Sequence, residues 1–165
     1  MSRSRAGITE LEKEWRRHWP EAMTENALLT PALYRLQEHL GRCAERLLKP
    51  HGLQSADFEV LSALRASPPP HSLTPTELYR RLLVSSGGMT KILARLEDRG
   101  LITRPANPED ARSKLVTLAE PGKELIEKLT AALVTEEGKL LALLDDAPGL
   151  ERVLTAWLDR IEKAG

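Results

Sequence analysis

The stretch LTPTELYRRLLVSSGGMTKILARLEDRGLITR, residues 73–104, decides the fold. Thr74-Pro75-Thr76-Glu77 is a helix start. Thr74 suits the N-cap, Pro75 the first helical position, and Glu77 can reach back to the cap amide. The helix it opens is short and ends near Leu83. Ser85 or Ser86 caps a second helix, with Met89, Leu93 and Leu96 on its inner face. Gly100 then suits the left-handed position that closes a helix. Leu101-Ile102-Thr103-Arg104 reads as one strand and Lys114–Leu118 as another, with Pro105–Ser113 as a polar hairpin loop between them. Helix, tight turn, helix and hairpin in this order make a winged helix-turn-helix.

That motif places its second helix in the major groove of duplex DNA, so the first turns of the helix need small or hydrogen-bonding residues. Ser85, Ser86, Gly87, Gly88, Thr90 and Lys91 supply them, and Thr76 sits at the start of the supporting helix. Free amides at a helix N-terminus attract phosphate. Arg95 and Arg99 lie further along, where contacts to the DNA backbone are expected. The wing offers Arg112 and Lys114, and a guanidinium suits a narrow, electronegative minor groove.

Outward from this centre, the whole chain of 165 residues fits one domain with extensions. Its net charge is zero, but the distribution is uneven. Residues 74–118 hold 8 Lys/Arg against 5 Asp/Glu, a net of +3, whereas residues 119–165 hold 6 against 10, a net of −4. Phosphate affinity follows the local basic face rather than the total. Thr9 and Glu12 have capping-box spacing ahead of Leu11, Trp15 and Trp19, which predicts a short amphipathic helix closed by Pro20. A second helix is expected to about Leu48, with Pro31 in its first turn and a stripe of Leu33, Leu36, Leu40, Cys43 and Leu47. Ser55 can cap a third, carrying Phe58, Leu61 and Leu64 and stopped by Pro68-Pro69-Pro70. Two long Leu-rich helices follow, at about 121–144 and 148–163. The fold class is therefore mainly α with a small β-hairpin wing. Residues 1–24 are an extension; in 25–165 the winged helix-turn-helix covers about 53–118, between dimerisation helices at about 25–48 and 121–163.

The quoted residues also resemble a known family. Leu73–Leu78, Ser85–Thr90, Arg95–Leu101, Asn107–Arg112 and Leu118–Gly122 are similar to the multiple-antibiotic-resistance regulator (MarR) family of transcription regulators. The family's wing usually reads Asp-Arg-Arg; here it is Asp110-Ala111-Arg112. The resemblance implies that Arg112 reaches the minor groove while Asp110 orients it. It also implies repression by a dimer on a roughly palindromic operator, with a small aromatic or anionic ligand releasing the DNA. Trp15, Pro20, Gly52-Leu53 and Phe58–Leu61 resemble the urate-responsive, PecS-like branch. There the resemblance places Trp15 and Glu59 around a pocket whose arginine falls on Ile92. An apolar Ile92 offers no charge to an anionic purine and favours a neutral or weakly polar aromatic compound.

Other classes find little support. No nucleophile elbow, metal cluster or kinase signature is present, so no enzyme is expected and no cofactor is implied. His18, His39, His51 and His71 lack metal-ligand spacing. Gly87-Gly88 lacks the Gly-Lys-Ser/Thr of a phosphate-binding loop. Cys43 has no partner for a disulfide and reads as a small core residue. No apolar run is long enough for a membrane span, and none follows Arg3 and Arg5 to suggest a signal peptide, so a cytoplasmic chain is expected. The competing reading is a winged-helix protein-interaction module without DNA binding, which would expose apolar residues where this chain has Thr90 and Lys91.

Overall fold

The computed structural model describes residues 6–82, 86–108 and 110–164, with residues 86, 87, 111 and 112 described by backbone alone. The chain divides into two units, residues 1–43 and 44–165. The division falls inside the second helix.

In the first unit, α1 (Ile8–His18) is capped by Gly7, not by Thr9. The extended backbone of Gly7 starts the helix two residues earlier, and its carbonyl accepts from the Leu11 amide at 3.0 Å. Glu12, freed from a capping role, pairs with Arg16 at 2.9 Å. Trp15 and Trp19 meet edge to face, ring centres 6.3 Å apart. Pro20–Ala22 forms a single 3-10 turn. Helix α2 spans Leu29–Leu48, with Pro31 in its first turn as the sequence indicated.

The second unit holds the core. Helix α3 is Ser55–Arg65, α4 is Pro75–Arg81 and α5 is Ser86–Asp98. Val60, Leu61 and Leu64 of α3, Leu78 of α4, and Leu93 and Leu96 of α5 are at most 2% exposed. Ile102, Val116 and Ile126 complete that centre. The expected stripe of Met89, Leu93 and Leu96 is buried as the periodicity requires. Gly100 has φ +66, and the Leu101 amide closes back on the Leu96 carbonyl at 3.0 Å, ending α5 where the sequence indicated.

Thr74 caps α4 as expected. The Glu77 amide donates to Thr74 Oγ1 at 3.2 Å, and the Thr74 amide donates to Glu77 Oε2 at 2.7 Å. At α3 the cap is Gln54 rather than Ser55. Asp57 decides this, because its Oδ2 accepts from the Gln54 amide at 2.8 Å.

The strands differ most from expectation. A three-stranded antiparallel sheet runs in the order β1 (Ser72–Leu73), β5 (Val116–Leu118), β2 (Ile102–Thr103). β1 was not anticipated; it pairs Leu73 with Val116. The expected loop 105–113 itself contains a ladder of β3 (Ala106–Asn107) and β4 (Asp110–Lys114), with Ala106 opposite Lys114. Lys114 thus belongs to the wing ladder, and a break at Leu115 separates it from β5.

Helix α6 (Glu120–Leu141) packs through its first half, where Gly122, Ile126 and Leu129 are buried. Gly122 lies so close to the end of α5 that a Cβ would sit 2.1 Å from the Leu101 carbonyl oxygen. Helix α7 (Ala147–Ala164) buries no residue. Among the described residues no helix is long and apolar enough to cross a membrane.

Candidate nucleic-acid interface

The start of α4, the outer face of α5 and the β3–β4 wing together border two adjoining cavities. One, of about 440 Å³, lies between Thr74–Thr76 and the wing residues Asn107, Asp110, Ser113 and Lys114. The other, of about 390 Å³, lies between Pro75, Thr76 and Tyr79 of α4 and Met89, Thr90 and Leu93 of α5. Arg104 lines both. Its Nε is buried and has no hydrogen-bond partner among the described residues.

The expected DNA-facing residues divide by location. Thr76 is exposed at the start of α4, and Thr90 and Lys91 are exposed on α5. Asp110 and Lys114 are exposed on the wing, where Ser113 accepts from Asn107 Nδ2 at 2.9 Å and fixes the ladder's tip. Ser85 lies outside the described residues. Ser86 and Gly87 form the first turn of α5, and Arg112 lies in β4; their side chains also lie outside the described residues.

Arg95 is placed differently from the expected backbone contact. Its Nε and Nη2 donate to Asp57 Oδ1 at 3.1 and 2.5 Å, and its Nη2 also reaches Gln54 Oε1 at 3.3 Å. Arg99 stays exposed and donates to the Gly52 and His51 carbonyls at 2.9 and 2.7 Å. Asp57 is fully buried, so burial without a partner would be costly; Arg95 answers that need. Sequence reading missed Asp57, although its position three residues after Gln54 is a capping signal. It also missed Arg104, whose place at the end of a two-residue strand carries no pattern.

The expected ligand residues fall in different settings. Trp15 is half-buried in the first unit. Glu59 is exposed on α3, and Ile92 is 6% exposed within the hydrophobic core of the second unit. Two arginines are engaged elsewhere: Arg65 pairs with Glu127 at 2.6 Å, and Arg35 donates to the Ala6 carbonyl at 2.6 Å. Among the described residues no group of acidic, His and Cys side chains could hold a metal ion.

Comparison with known proteins agrees with this geometry. A family model described as "MarR family" matches residues 51–113. The chain is 25% identical over 156 residues to the HTH-type transcriptional regulator PecS of Dickeya dadantii, covering 94% of this chain and 93% of that one. It is 32% identical over 122 residues to the HTH-type transcriptional repressor Rv2887 of Mycobacterium tuberculosis, covering 74% and 86%. A crystal structure of a mutant MarR from E. coli, complexed with operator DNA, superposes with a TM-score of 0.70 at 26% identity, over 87% of this chain and 97% of that one. At the level of fold alone, NadR in complex with 4-hydroxyphenylacetate superposes with a TM-score of 0.68 at 20% identity, over 87% and 98%. The chain belongs to the MarR family, and its winged helix-turn-helix is that of a DNA-binding transcription regulator.

Proposed function

We propose that the protein is a dimeric repressor that binds a roughly palindromic operator and leaves it when a small aromatic ligand binds. The observation that carries the dimer is the far end of the second unit. Val134, Leu143, Val153, Leu158 and Ile161 are all at least half exposed, and α7 buries nothing within its own chain. Monomers seldom leave so many large apolar side chains of two neighbouring helices in water. A second copy would cover them, and two-fold symmetry would set two α5 helices about 34–36 Å apart, one DNA turn. Repression is the named activity of the mycobacterial relative, and we extend it to this chain. In this reading Ser85, Ser86, Gly87, Thr90 and Lys91 face the major groove. Thr76 and Lys114 touch phosphates, and Arg112, oriented by Asp110, enters the minor groove. The chain works in the cytoplasm, where its DNA lies. Footprinting on the intergenic DNA beside its own gene tests this. Protection of two half-sites one turn apart supports it, and protection of none counts against it.

For the ligand, Trp15, Glu59 and Ile92 are a proposal that rests on resemblance alone. A specific observation favours a second location. The cavity between Tyr79, Met89 and Leu93 has walls of mixed character, and Arg104, whose buried Nε has no partner among the described residues, brings a cationic side chain to its lining. Such a site suits an aromatic acid, the class NadR binds. A ligand there would act only by favouring the DNA-free arrangement. Thermal-shift titration with 4-hydroxyphenylacetate, simple phenols and urate separates the two sites. Loss of the shift in Arg104→Ala selects the cavity beside Tyr79, and loss in Trp15→Ala selects the other site.

A further inference from the structure

Arg95 is the residue whose structural setting departs furthest from its expected role. A basic side chain halfway along a recognition helix is the natural candidate for a phosphate contact. Here it is bound by a carboxylate with no exposure at all, on a helix 38 residues earlier in the chain. That same carboxylate caps α3 through its second oxygen. One turn further on, Arg99 holds two backbone carbonyls of the 51–52 loop. The C-terminal end of α5 is therefore fastened at two levels to the start of α3, and Thr90 and Lys91 in its N-terminal half stay exposed.

The geometry points to Asp57 and Arg95 as a positioning pair: they fix the orientation in which α5 presents Thr90 and Lys91 to the major groove. The inference rests on the DNA-binding reading and adds to it. Asp57 is buried and cannot touch DNA, yet it controls the fit of the helix that does. Asp57 Oδ1 takes two donors from one guanidinium, a planar arrangement that a lysine cannot reproduce. The pair should therefore set specificity rather than raw electrostatic affinity.

The test uses the full chain and two duplexes: intergenic DNA beside its own gene, and a mixed-sequence duplex of equal length. Asp57→Asn, Arg95→Gln and the double variant are titrated on both across a range of salt, and their melting is recorded. Asp57→Asn is expected to lower the ratio of specific to non-specific affinity about tenfold, as coupled contacts commonly do. The salt dependence should stay as in the wild type. Arg95→Gln should do the same, and the double variant should lose no more than either single one. Should Asp57→Asn fail to fold, the double variant, which leaves no charge unpaired, carries the same expectation. A folded Asp57→Asn, or a folded double variant, with the wild-type ratio overturns the inference. So does an Arg95→Gln protein whose salt slope falls by about one, the mark of a direct phosphate contact. A wild type that shows no preference between the two duplexes counts instead against the DNA-binding reading on which the inference rests.

Discussion

Lys91 and Arg95 lie one helical turn apart on α5, and their surroundings separate them. Arg95 is held by Asp57, whereas Lys91 is exposed on the outward face beside Thr90. Lys91→Ala should therefore weaken operator binding and relax sequence preference, by about 1–3 kcal/mol if it reads a base edge with two bonds. Arg112→Ala should weaken binding with less loss of preference. Gel-shift titrations against matched and mutated operators check both, and wild-type behaviour of both variants would remove α5 and the wing from the interface. Glu77 makes a different kind of prediction. The Thr74 backbone amide, and then the Thr74 hydroxyl, hold its carboxyl below the usual value of 4.5. A lowered value in the folded state means the stabilisation is full above the unfolded value and lost as pH falls through the folded one. Melting temperature should thus decline on acidification below about 4.5, slightly more steeply in the wild type than in Glu77→Gln, the difference being small because the carboxylate is exposed to solvent.

At the scale of elements, α4 and α5 were legible because their ends are written locally. Thr74, Pro75, Glu77 and Gly100 each act within a turn of their own helix. The wing was legible as a hairpin, but its inner ladder was not, because Pro105, Asn107, Pro108 and three charges read as loop, while β3 and β4 arise from the pairing of Ala106 with Lys114. Strand β1, only Ser72–Leu73, is too short to show alternation and exists because β5 offers it an edge. The Asp57–Arg95 tie joins residues whose separation in sequence leaves no periodic trace, so the role of Arg95 was legible only in three dimensions. One element contact is exacting enough to test alone. Gly122 packs its α-carbon against the Leu101 carbonyl, so Gly122→Ala forces α6 away from the end of α5. The expected loss is about 1–3 kcal/mol in denaturant unfolding despite alanine's better helix propensity. A neutral or stabilised variant would mean that α6 does not seat there.

For the whole molecule, the proposed dimer joins a winged helix-turn-helix to apolar helices that a second copy would cover. Sedimentation at micromolar concentration should show a dimer. Removing residues 146–165 should lower solubility and abolish operator binding together, because the half-sites are then no longer held at a fixed spacing. A monomeric, well-behaved truncation that still binds a palindrome tightly would separate the two. The legible part of this scale was the Leu-rich character of both ends; which surfaces they leave uncovered became clear only with α7 in place. The most direct test of the central claim is selection of binding sites from a random duplex library by the full chain, repeated with Lys91→Ala. The account predicts enrichment of an inverted repeat with half-sites about one turn apart, and loss of information at fixed positions of each half-site in the variant. Enrichment of no sequence, or of a motif that Lys91→Ala leaves untouched, would contradict it.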